Sequence, residues 1–331
     1  MTESAKIRVV FFGTPDYAVP ALRALGSDSR FDVVLVVTQP DRPAGRGRAL
    51  QQPAVKVEAE RLGLTVYQPE SLRKSEARTP LEAARADVFV VAAYGLIFGR
   101  KTLAIPRFGA LNLHASLLPK YRGASPVAAA ILHGDSETGV TLMAMDEGLD
   151  TGAIVATIRV QIEPEDTTAT LTARLAEAGA QLAIDAIPRF VAGELRPVPQ
   201  PTEGATLTRP LTKADGWLAW DRSASVLERR VRAMWPWPRA WTTSQDGQLQ
   251  VHRASVAEGE SGTPGEIRLQ KDALLVACGA GWLRLDVVQP AGGKPMPGPA
   301  WAAGRRLQEG AVLGATGEPP APPPLIVPVT P

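Results

Sequence analysis

The stretch GALNLHASLLP, residues 109–119, is the most informative part of this chain and indicates its chemistry. Its glycine and proline boundaries are typical of a strand that leaves a sheet and turns into a loop, where open α/β sheets place their functional groups. In an extended segment, residues two apart point to the same side, so Asn112 and His114 are predicted to share one face. An amide that binds a developing oxyanion, beside an imidazole that transfers protons, suits acyl transfer.

A carboxylate further along the chain completes this candidate site. The stretch MDEGLDTG, residues 145–152, places Asp150 36 residues after His114. A carboxylate can fix the tautomer of an imidazole or help to move a proton. An Asn-x-His pair is a weak signal by itself, since a histidine at a strand end is more often only a satisfied polar residue. The strand-to-loop context favours the catalytic interpretation.

The first part of the chain alternates short apolar runs with helical patterns. The predicted strands cover residues 7–12, 31–38, 65–67, 87–93 and 110–114, and helices are predicted around residues 18–25 and 55–62. Continuous apolar runs are expected for parallel strands that are covered on both faces. The alternation therefore predicts βαβ units, a mostly parallel sheet and an α/β fold.

Composition excludes several classes of protein. The turn Gly13–Pro15 lacks both the dinucleotide fingerprint and a phosphate loop, which disfavours nicotinamide and ATP chemistry. A single cysteine, Cys278, excludes a disulfide within the chain and a thiolate metal cluster, and no metal is predicted. The net charge is only +2, and the N-terminus lacks the pattern of a signal peptide. No apolar run approaches the roughly 20 residues of a membrane span. We therefore expect a cytoplasmic protein that does not bind membranes.

The length of 331 residues indicates two domains. Residues 1–193 form the predicted catalytic domain, which ends in a helix over residues 166–193 with Thr167 or Thr168 as its cap. A proline-rich, semi-extended linker is predicted over residues 194–210. Short strands separated by turns then predict a small antiparallel barrel over residues 211–314. Residues 315–331 are predicted to be a disordered tail.

Two groups of arginines are candidates for contact with a polyanion. Arg42, Arg46 and Arg48 lie in a loop rich in glycine and proline, which fits a solvated surface loop and a basic finger equally well. Arg229 and Arg232 lie on a predicted helix just before the stretch WPWP, residues 235–238. This second cluster fits a nucleic-acid surface. It also fits an amphipathic helix followed by core tryptophans, and we favour a core position for the tryptophans.

Several motifs together resemble those of the methionyl-tRNA formyltransferase family. They are FGTPD (12–16), TQPDRPAGRG (38–47), VAAYGLI (91–97), NLHASLLPKYRG (112–123), GVT (139–141) and MDEGLDTG (145–152), with WPWP (235–238) and QPAG (289–292) as weaker matches. The resemblance runs from about Ile7 to Gly314. It implies a Rossmann-like formyltransferase domain followed by a smaller barrel similar to an oligonucleotide-binding fold.

The resemblance also implies a reaction. The formyl donor would be 10-formyltetrahydrofolate, and the acceptor would be the amino group of methionine on initiator tRNA, for translation initiation. Asn112, His114 and Asp150 would be catalytic, with the proton route between His114, Asp150 and water left open. The donor pocket would comprise Tyr94, Gly95, Leu96, Ile97, Ser116, Leu117, Leu118 and Pro119. Arg42, Arg46 and Arg48 would contact the acceptor stem, with Arg46 as the main contact. We expect a monomer.

Other functions fit parts of the same sequence. Sugar-nucleotide N-formylation or hydrolysis of formyl-folate would use a similar Asn112, His114 and Asp150 set, but has less reason to carry the arginine loop. A non-catalytic RNA-binding protein built on an enzyme fold is a second class, and the intact set of three residues argues against it. A dehydrogenase is the weakest alternative, because the glycine fingerprint is missing.

Overall fold

A seven-stranded sheet forms the centre of the first domain in the computed structural model, which describes residues 6–44, 49–260, 262–315 and 320–329. The strands of this domain are β1 (Ile7–Gly13), β2 (Phe31–Val37), β3 (Arg42–Ala44), β4 (Ala49–Gln51), β5 (Val66–Tyr67), β6 (Val88–Ala92), β7 (Ala110–His114), β8 (Arg122–Gly123), β9 (Glu137–Ala144) and β10 (Ile154–Gln161). The order in the sheet is β10-β9-β7-β6-β1-β2-β5. Strands β5, β2, β1, β6 and β7 are parallel, whereas β9 and β10 are antiparallel. The predicted mostly parallel sheet is confirmed.

Helices cover both faces of this sheet. They are α1 (Val19–Ser27), α2 (Ala54–Arg61), α3 (Ser75–Ala83), α4 (Arg100–Leu103), α5 (Pro126–His133) and α6 (Thr168–Val191). Phe11 of β1 lies in one core cluster with residues of α1 and α6. Its neighbour Phe12 lies in a second cluster with Leu81 of α3. Successive residues of a strand point to opposite faces, so β1 is buried on both sides. Helix α6 begins where predicted, since the Thr167 side chain accepts a hydrogen bond from the Thr170 amide.

The second domain contains an antiparallel sheet with its own core. Its elements are α7 (Ala224–Ala233), β12 (Ala240–Ser244), β13 (Gly247–Ala257), β14 (Ile267–Gln270), β15 (Ala273–Ala277), β16 (Trp282–Pro290), β17 (Met296–Pro297) and α8 (Gly298–Gly304). The strands pair in the order β12-β13-β16-β15-β14, and β17 pairs with β16. Helix α7 buries Leu227 and Val231 against this sheet, and Trp301 of α8 is in the same cluster. The predicted combination of a Rossmann-like domain and a smaller antiparallel domain is confirmed.

The two domains meet along α7. Ala233 and Met234, at the end of this helix, belong to the core cluster of the first domain. The Thr168 hydroxyl, at the start of α6, donates a 2.7 Å hydrogen bond to the Ala233 carbonyl. The Arg232 guanidinium donates to the Asp166 carbonyl at 2.9 Å. Apolar burial and directed hydrogen bonds thus fix α7 against the first domain.

The segment predicted to be a linker, residues 194–210, packs against the first domain instead of only connecting the two domains. Val198 and Ile154 exchange two backbone hydrogen bonds of 2.8 Å. Strand β11 (Thr206–Thr208) pairs in parallel with β8. Proline-rich composition predicts an extended backbone, but it does not reveal that β8 and the start of β10 offer partners for that backbone.

The tail also departs from expectation. Strand β18 (Ile326–Pro328) pairs antiparallel with β11, so the disorder predicted for residues 315–331 is wrong for these residues. Leu325 is buried, and its carbonyl accepts a hydrogen bond from the Arg209 amide at 3.4 Å. The partners of the tail lie more than 100 residues earlier in the sequence, which is why local composition does not predict this strand.

Replacing Leu325 with alanine is expected to destabilise the protein by about 2–3 kcal/mol, because the change removes buried apolar volume. Val327, two residues along the same segment and 47% exposed, provides the matched control. Its replacement by alanine is expected to change stability by less than about 0.5 kcal/mol. Urea unfolding of both variants measures the difference. Equal midpoints for the two variants would show that the tail is not packed in solution.

Candidate active site

The three candidate catalytic residues come from two places in the chain. Asn112 and His114 lie on β7, and Asp150 lies in the turn between β9 and β10. The backbone of Asp150 has φ of 52°, a left-handed conformation that costs a residue with a side chain about 1–2 kcal/mol. Gly152 follows, and a Cβ there would lie 1.8 Å from the Ala144 carbonyl oxygen. This tight turn brings Asp150 back over the end of β7.

Asp150 contacts both partners through different oxygens. The Asn112 Nδ2 donates to Asp150 Oδ1 at 3.3 Å. His114 Nδ1 lies 3.6 Å from Asp150 Oδ2. The Gly123 amide donates to the same Oδ2 at 2.8 Å and fixes the carboxylate between its two neighbours. The His114 ring is 6% exposed and the Asp150 side chain 14%, so low solvent access strengthens their electrostatic coupling. Asn112 and His114 do lie on one face, as strand alternation predicts.

The protonation pattern of His114 follows from its second contact. Its Nε2 lies 2.9 Å from the carbonyl oxygen of Tyr121. A carbonyl oxygen only accepts hydrogen bonds, so Nε2 carries a proton. In the neutral imidazole, Nδ1 is then the unprotonated nitrogen, and it faces Asp150. The arrangement is suited to accepting a proton at Nδ1, next to a carboxylate that stabilises the resulting imidazolium.

The turn after His114 is fixed by contacts that the sequence did not reveal. Thr141, opposite His114 on β9, donates to the Ser116 carbonyl at 2.7 Å and accepts from the Leu118 amide at 3.1 Å. The Ser116 hydroxyl donates to the Lys120 carbonyl at 2.6 Å. Ser116 is fully buried, so its side chain shapes the turn. Thr141 lies in the short GVT stretch noted in the sequence, but only the strand pairing shows what it contacts.

The predicted donor-pocket residues lie on two loops at the same edge of the sheet. Residues 94–97 follow β6, residues 116–119 follow β7, and these two strands are parallel neighbours. Thr14 and Gln39 donate to the Tyr94 carbonyl at 3.0 and 2.8 Å, which holds the first loop in place. Ile97 is 73% exposed, whereas Tyr94 is buried, and burial raises the pKa of its phenol. Residues 117–119 also line a cleft of about 330 Å³ that contains none of residues 94–97.

The basic loop is described only in part. Arg46 and Arg48 lie outside the described residues. Arg42 is exposed in a short hairpin of β3 and β4, where it pairs with Gln51. Together with Thr14 and Gln39 it lines a cleft of about 620 Å³, within the range of small-molecule sites. Because Thr14 and Gln39 also bind the Tyr94 carbonyl, this cleft lies beside the loop after β6.

The C-terminal arginine cluster has structural contacts. Arg232 pairs with Glu228 at 2.5 Å and binds the Asp166 carbonyl, and its side chain is only 16% exposed. These contacts place Arg232 in the domain boundary rather than on an open surface. The Arg229 guanidinium lies over Gly134, at the end of α5, and lines a cleft of about 240 Å³ between the domains. An arginine at a helix C-terminus also complements the helix dipole.

The tryptophans after α7 are not all in the core. Trp237 is 52% exposed, so the favoured core position is wrong for this residue. Trp235 is half-buried between the Arg239 guanidinium, 5.3 Å from its ring, and the His252 ring at 5.0 Å. Burial and the nearby Arg239 hold the pKa of His252 below its ordinary value. The neutral imidazole and Trp235 therefore pack as a ring pair at the start of the second domain.

Residues 6–44, 49–260, 262–315 and 320–329 contain no group of three His, Cys, Asp or Glu side chains that could hold a metal ion. No helix in the same ranges is long and apolar enough to cross a membrane.

Comparison with known families agrees with this fold. The formyl transferase family model matches residues 5–187. The model of the formyl transferase C-terminal domain matches residues 210–306. The fold is therefore that of a formyltransferase.

Curated relatives define the family more narrowly. The methionyl-tRNA formyltransferase of Neisseria meningitidis serogroup C is 46% identical over 310 residues, which cover 93% of this chain and 100% of the relative. That of Burkholderia multivorans is 47% identical over 316 residues, covering 92% and 96%. The chain belongs to the methionyl-tRNA formyltransferase family.

Solved structures share the fold at low sequence identity. An N-formyltransferase from Helicobacter canadensis, in complex with folinic acid and dTDP-3-aminofucose, matches with a TM-score of 0.64 and 18% identity, covering 84% of this chain and 98% of that one. HypX from Aquifex aeolicus, in complex with tetrahydrofolic acid, gives a TM-score of 0.58 at 16% identity, covering 90% and 47%.

Proposed function

We propose that this protein transfers a formyl group from 10-formyltetrahydrofolate to the amino group of methionine on initiator methionyl-tRNA, in the cytoplasm, for translation initiation. The observation that carries the proposal is identity of 46% along the full length of a methionyl-tRNA formyltransferase. The contacts of Asp150 with Asn112 and His114 at the end of β7 support it. The folate ligands in the two solved structures, which belong to those proteins, agree with a folate donor.

Asn112 is proposed to stabilise the oxygen that gains negative charge when the amine adds to the formyl carbon. Its Nδ2 carries two hydrogens, and one of them is used on Asp150. The second remains for the substrate, since the described residues show no other partner for it. A donor held in place before the reaction stabilises developing charge without reorganisation.

His114 and Asp150 are proposed to handle the proton. In the reaction, a bond forms between the methionine nitrogen and the formyl carbon, the bond from that carbon to the donor nitrogen breaks, and a proton passes from the amine to the leaving nitrogen. The unprotonated Nδ1 of His114 can accept this proton, and Asp150 then stabilises the imidazolium. The Tyr121 carbonyl at Nε2 supports this assignment, because it leaves Nδ1 as the basic atom.

The loops after β6 and β7 are proposed to bind the donor. The residues are Tyr94, Gly95, Leu96, Ile97, Ser116, Leu117, Leu118 and Pro119. Neighbouring parallel strands end at the same edge of a sheet, where ligands of open α/β folds bind, and this supports a shared pocket. The buried Ser116 hydroxyl donates to the Lys120 carbonyl, so Ser116 is proposed to position the loop of this pocket.

The acceptor stem of the tRNA is proposed to meet the loop of Arg42, Arg46 and Arg48. Replacing Arg46 with alanine is expected to reduce kcat/KM for initiator tRNA about 5- to 150-fold, because a specific arginine contact contributes about 1–3 kcal/mol. The ratio of kcat/KM for initiator methionyl-tRNA to that for elongator methionyl-tRNA is expected to fall as well. Steady-state assays with both tRNAs, over a range of salt concentrations, measure the effect. The control is Arg107→Ala, an exposed arginine before β7, at the opposite edge of the sheet. Unchanged selectivity in Arg46→Ala would contradict the assignment.

A direct assay tests the proposed function. The purified protein is incubated with 10-formyltetrahydrofolate and methionylated initiator tRNA, and N-formylmethionine on the tRNA is measured. Parallel reactions contain elongator methionyl-tRNA, a dTDP-amino sugar or no acceptor. Formylation of the initiator tRNA is expected to exceed that of every other acceptor. Consumption of the donor without formylated tRNA would indicate a hydrolase, and formylation of the amino sugar would indicate a sugar N-formyltransferase.

A further inference from the structure

We propose that Gln200 and Arg122 form a positioning pair that holds the main chain of Asp150, so that its carboxylate stays between Asn112 and His114. The proposal rests on the proposed formyl transfer, for which Asp150 is a candidate catalytic residue. Arg122 lies in the NLHASLLPKYRG motif, but the sequence suggested no role for it or for Gln200. Gln200 lies 50 residues after Asp150, in the proline-rich segment between the domains.

Every polar group of the Gln200 amide is used in this arrangement. Its Nε2 donates to the Asp150 carbonyl at 2.8 Å and to the Gly152 carbonyl at 2.7 Å. Its Oε1 accepts two hydrogen bonds from Arg122, from Nε at 3.0 Å and from Nη2 at 2.8 Å. An amide has two donor hydrogens and an acceptor with two lone pairs. The four bonds therefore fix its orientation, and the exchange of its oxygen and nitrogen is excluded.

The charge of Arg122 strengthens this contact. Arg122 is 8% exposed, and its guanidinium donates both of its described hydrogen bonds to Gln200 Oε1. Its guanidinium therefore directs its positive charge at the Gln200 oxygen. Charge-assisted hydrogen bonds are stronger than neutral ones, and bonded groups polarise one another. The Gln200 Nε2 thus becomes a better donor to the two carbonyls of the Asp150 turn.

Asp150 needs such support because its backbone is strained. Its φ of 52° lies in the left-handed region, which costs an aspartate less than most residues but more than a glycine, so contacts that hold the turn favour it. Gln200 binds the carbonyls on either side of Thr151, and so fixes the turn from the main chain. The adjacent Gly123 amide fixes the Oδ2 of the side chain at 2.8 Å. Arg122 and Gly123 form β8. This short strand therefore supports the Asp150 main chain through Gln200 and the Asp150 side chain through the Gly123 amide.

The segment that carries Gln200 is itself anchored on both sides. Val198, two residues earlier, pairs with Ile154 at the start of β10. Strand β11, which follows, pairs with β8 and with the C-terminal strand β18. The backbone on both sides of Gln200 is therefore held by strand pairing, and Gln200 does not lie in an unsupported loop. A positioning residue on a rigid segment can hold its target within the small tolerance that catalysis requires.

Two variants test the pair. Gln200→Ala removes all four bonds. Gln200→Glu keeps the volume and the acceptors for Arg122, but replaces the donor with a carboxylate oxygen that faces two carbonyl oxygens. Both are expected to lower kcat for formyl transfer by up to about 100-fold, the scale of a small misplacement in an active site. KM for methionyl-tRNA is expected to stay unchanged. Gln181→Ala, which removes an exposed contact with Asp185 on α6, is the matched control.

A second measurement separates positioning from a scaffold role and does not require activity. The ring signals of His114, assigned in NMR spectra with His114→Ala, are expected to shift in Gln200→Ala and Gln200→Glu at fixed pH, while those of His133 and His252 stay in place. Wild-type activity establishes the proposed function independently. Unchanged His114 signals together with unchanged kcat would overturn the proposal. Equal losses of kcat, tRNA binding and thermal stability with unchanged His114 signals would show that Gln200 only supports the fold, and would overturn it as well.

Discussion

Replacing Asn112 with alanine is expected to slow the formyl-transfer step by about 100- to 1000-fold while the enzyme still binds methionyl-tRNA. A preorganised donor to a developing oxyanion contributes about 2.7–4 kcal/mol to lowering the barrier. Asn112 is the only asparagine of the chain. Its Nδ2 bonds Asp150 at 3.3 Å and retains a second hydrogen for the substrate. The effect is therefore expected in the chemical step and not in tRNA recognition.

Single-turnover measurements with excess enzyme test this expectation. They report the chemical step separately from product release. Asn112→Asp is the informative second variant, because it preserves the shape of the side chain but removes the Nδ2 donor and sets a second carboxylate beside Asp150. It is expected to be at least as slow as Asn112→Ala. Rates within a few-fold of wild type in both variants would remove Asn112 from the active site.

Replacing His114 with alanine is expected to reduce kcat about 100- to 10,000-fold, the usual contribution of a positioned general acid or base. The variant loses the basic Nδ1 that faces Asp150 and the Nε2 contact with the Tyr121 carbonyl. His133→Ala provides the matched control, because the His133 ring is 60% exposed and pairs with Asp135 outside the site. It is expected to retain normal activity.

Steady-state kinetics of the two histidine variants measure the change in kcat, and a thermal unfolding curve for each shows whether the variant is folded. The double variant Asn112→Ala, His114→Ala adds information, since residues that act as a unit lose far less together than the sum of their single effects. A strongly sub-additive loss is expected, because Asp150 contacts both side chains. Full activity of His114→Ala would assign proton transfer to another group.

The sequence alone predicted the elements whose signals are local. The apolar runs at residues 7–12, 87–93 and 110–114 became β1, β6 and β7, because a strand buried on both faces requires continuous apolar residues. The shared face of Asn112 and His114 followed from strand alternation, which depends only on neighbours in the chain. The sequence offered Thr167 or Thr168 as the cap of α6, and Thr167 holds that position.

Tertiary structure decided everything that depends on distant partners. The proline-rich segment at residues 194–210 is extended, as its composition indicates, but its contacts with Ile154 and β8 depend on strands 40 to 90 residues away. Strand β18 formed where composition indicated disorder, because β11 offers a free edge. The Arg232 side chain points inward because it pairs with Glu228 and donates to the carbonyl of Asp166, just before α6.

The active site shows both contributions. The sequence proposed Asn112, His114 and Asp150 as candidate catalytic residues by residue type, local pattern and family resemblance. It did not identify the Tyr121 carbonyl that sets the tautomer of His114, or the Gln200 amide that holds the Asp150 turn. Backbone carbonyls are present at every residue, and a single glutamine has no periodic signature. Only the folded chain, by bringing residues 121, 150 and 200 together, determines which of these groups act in the site.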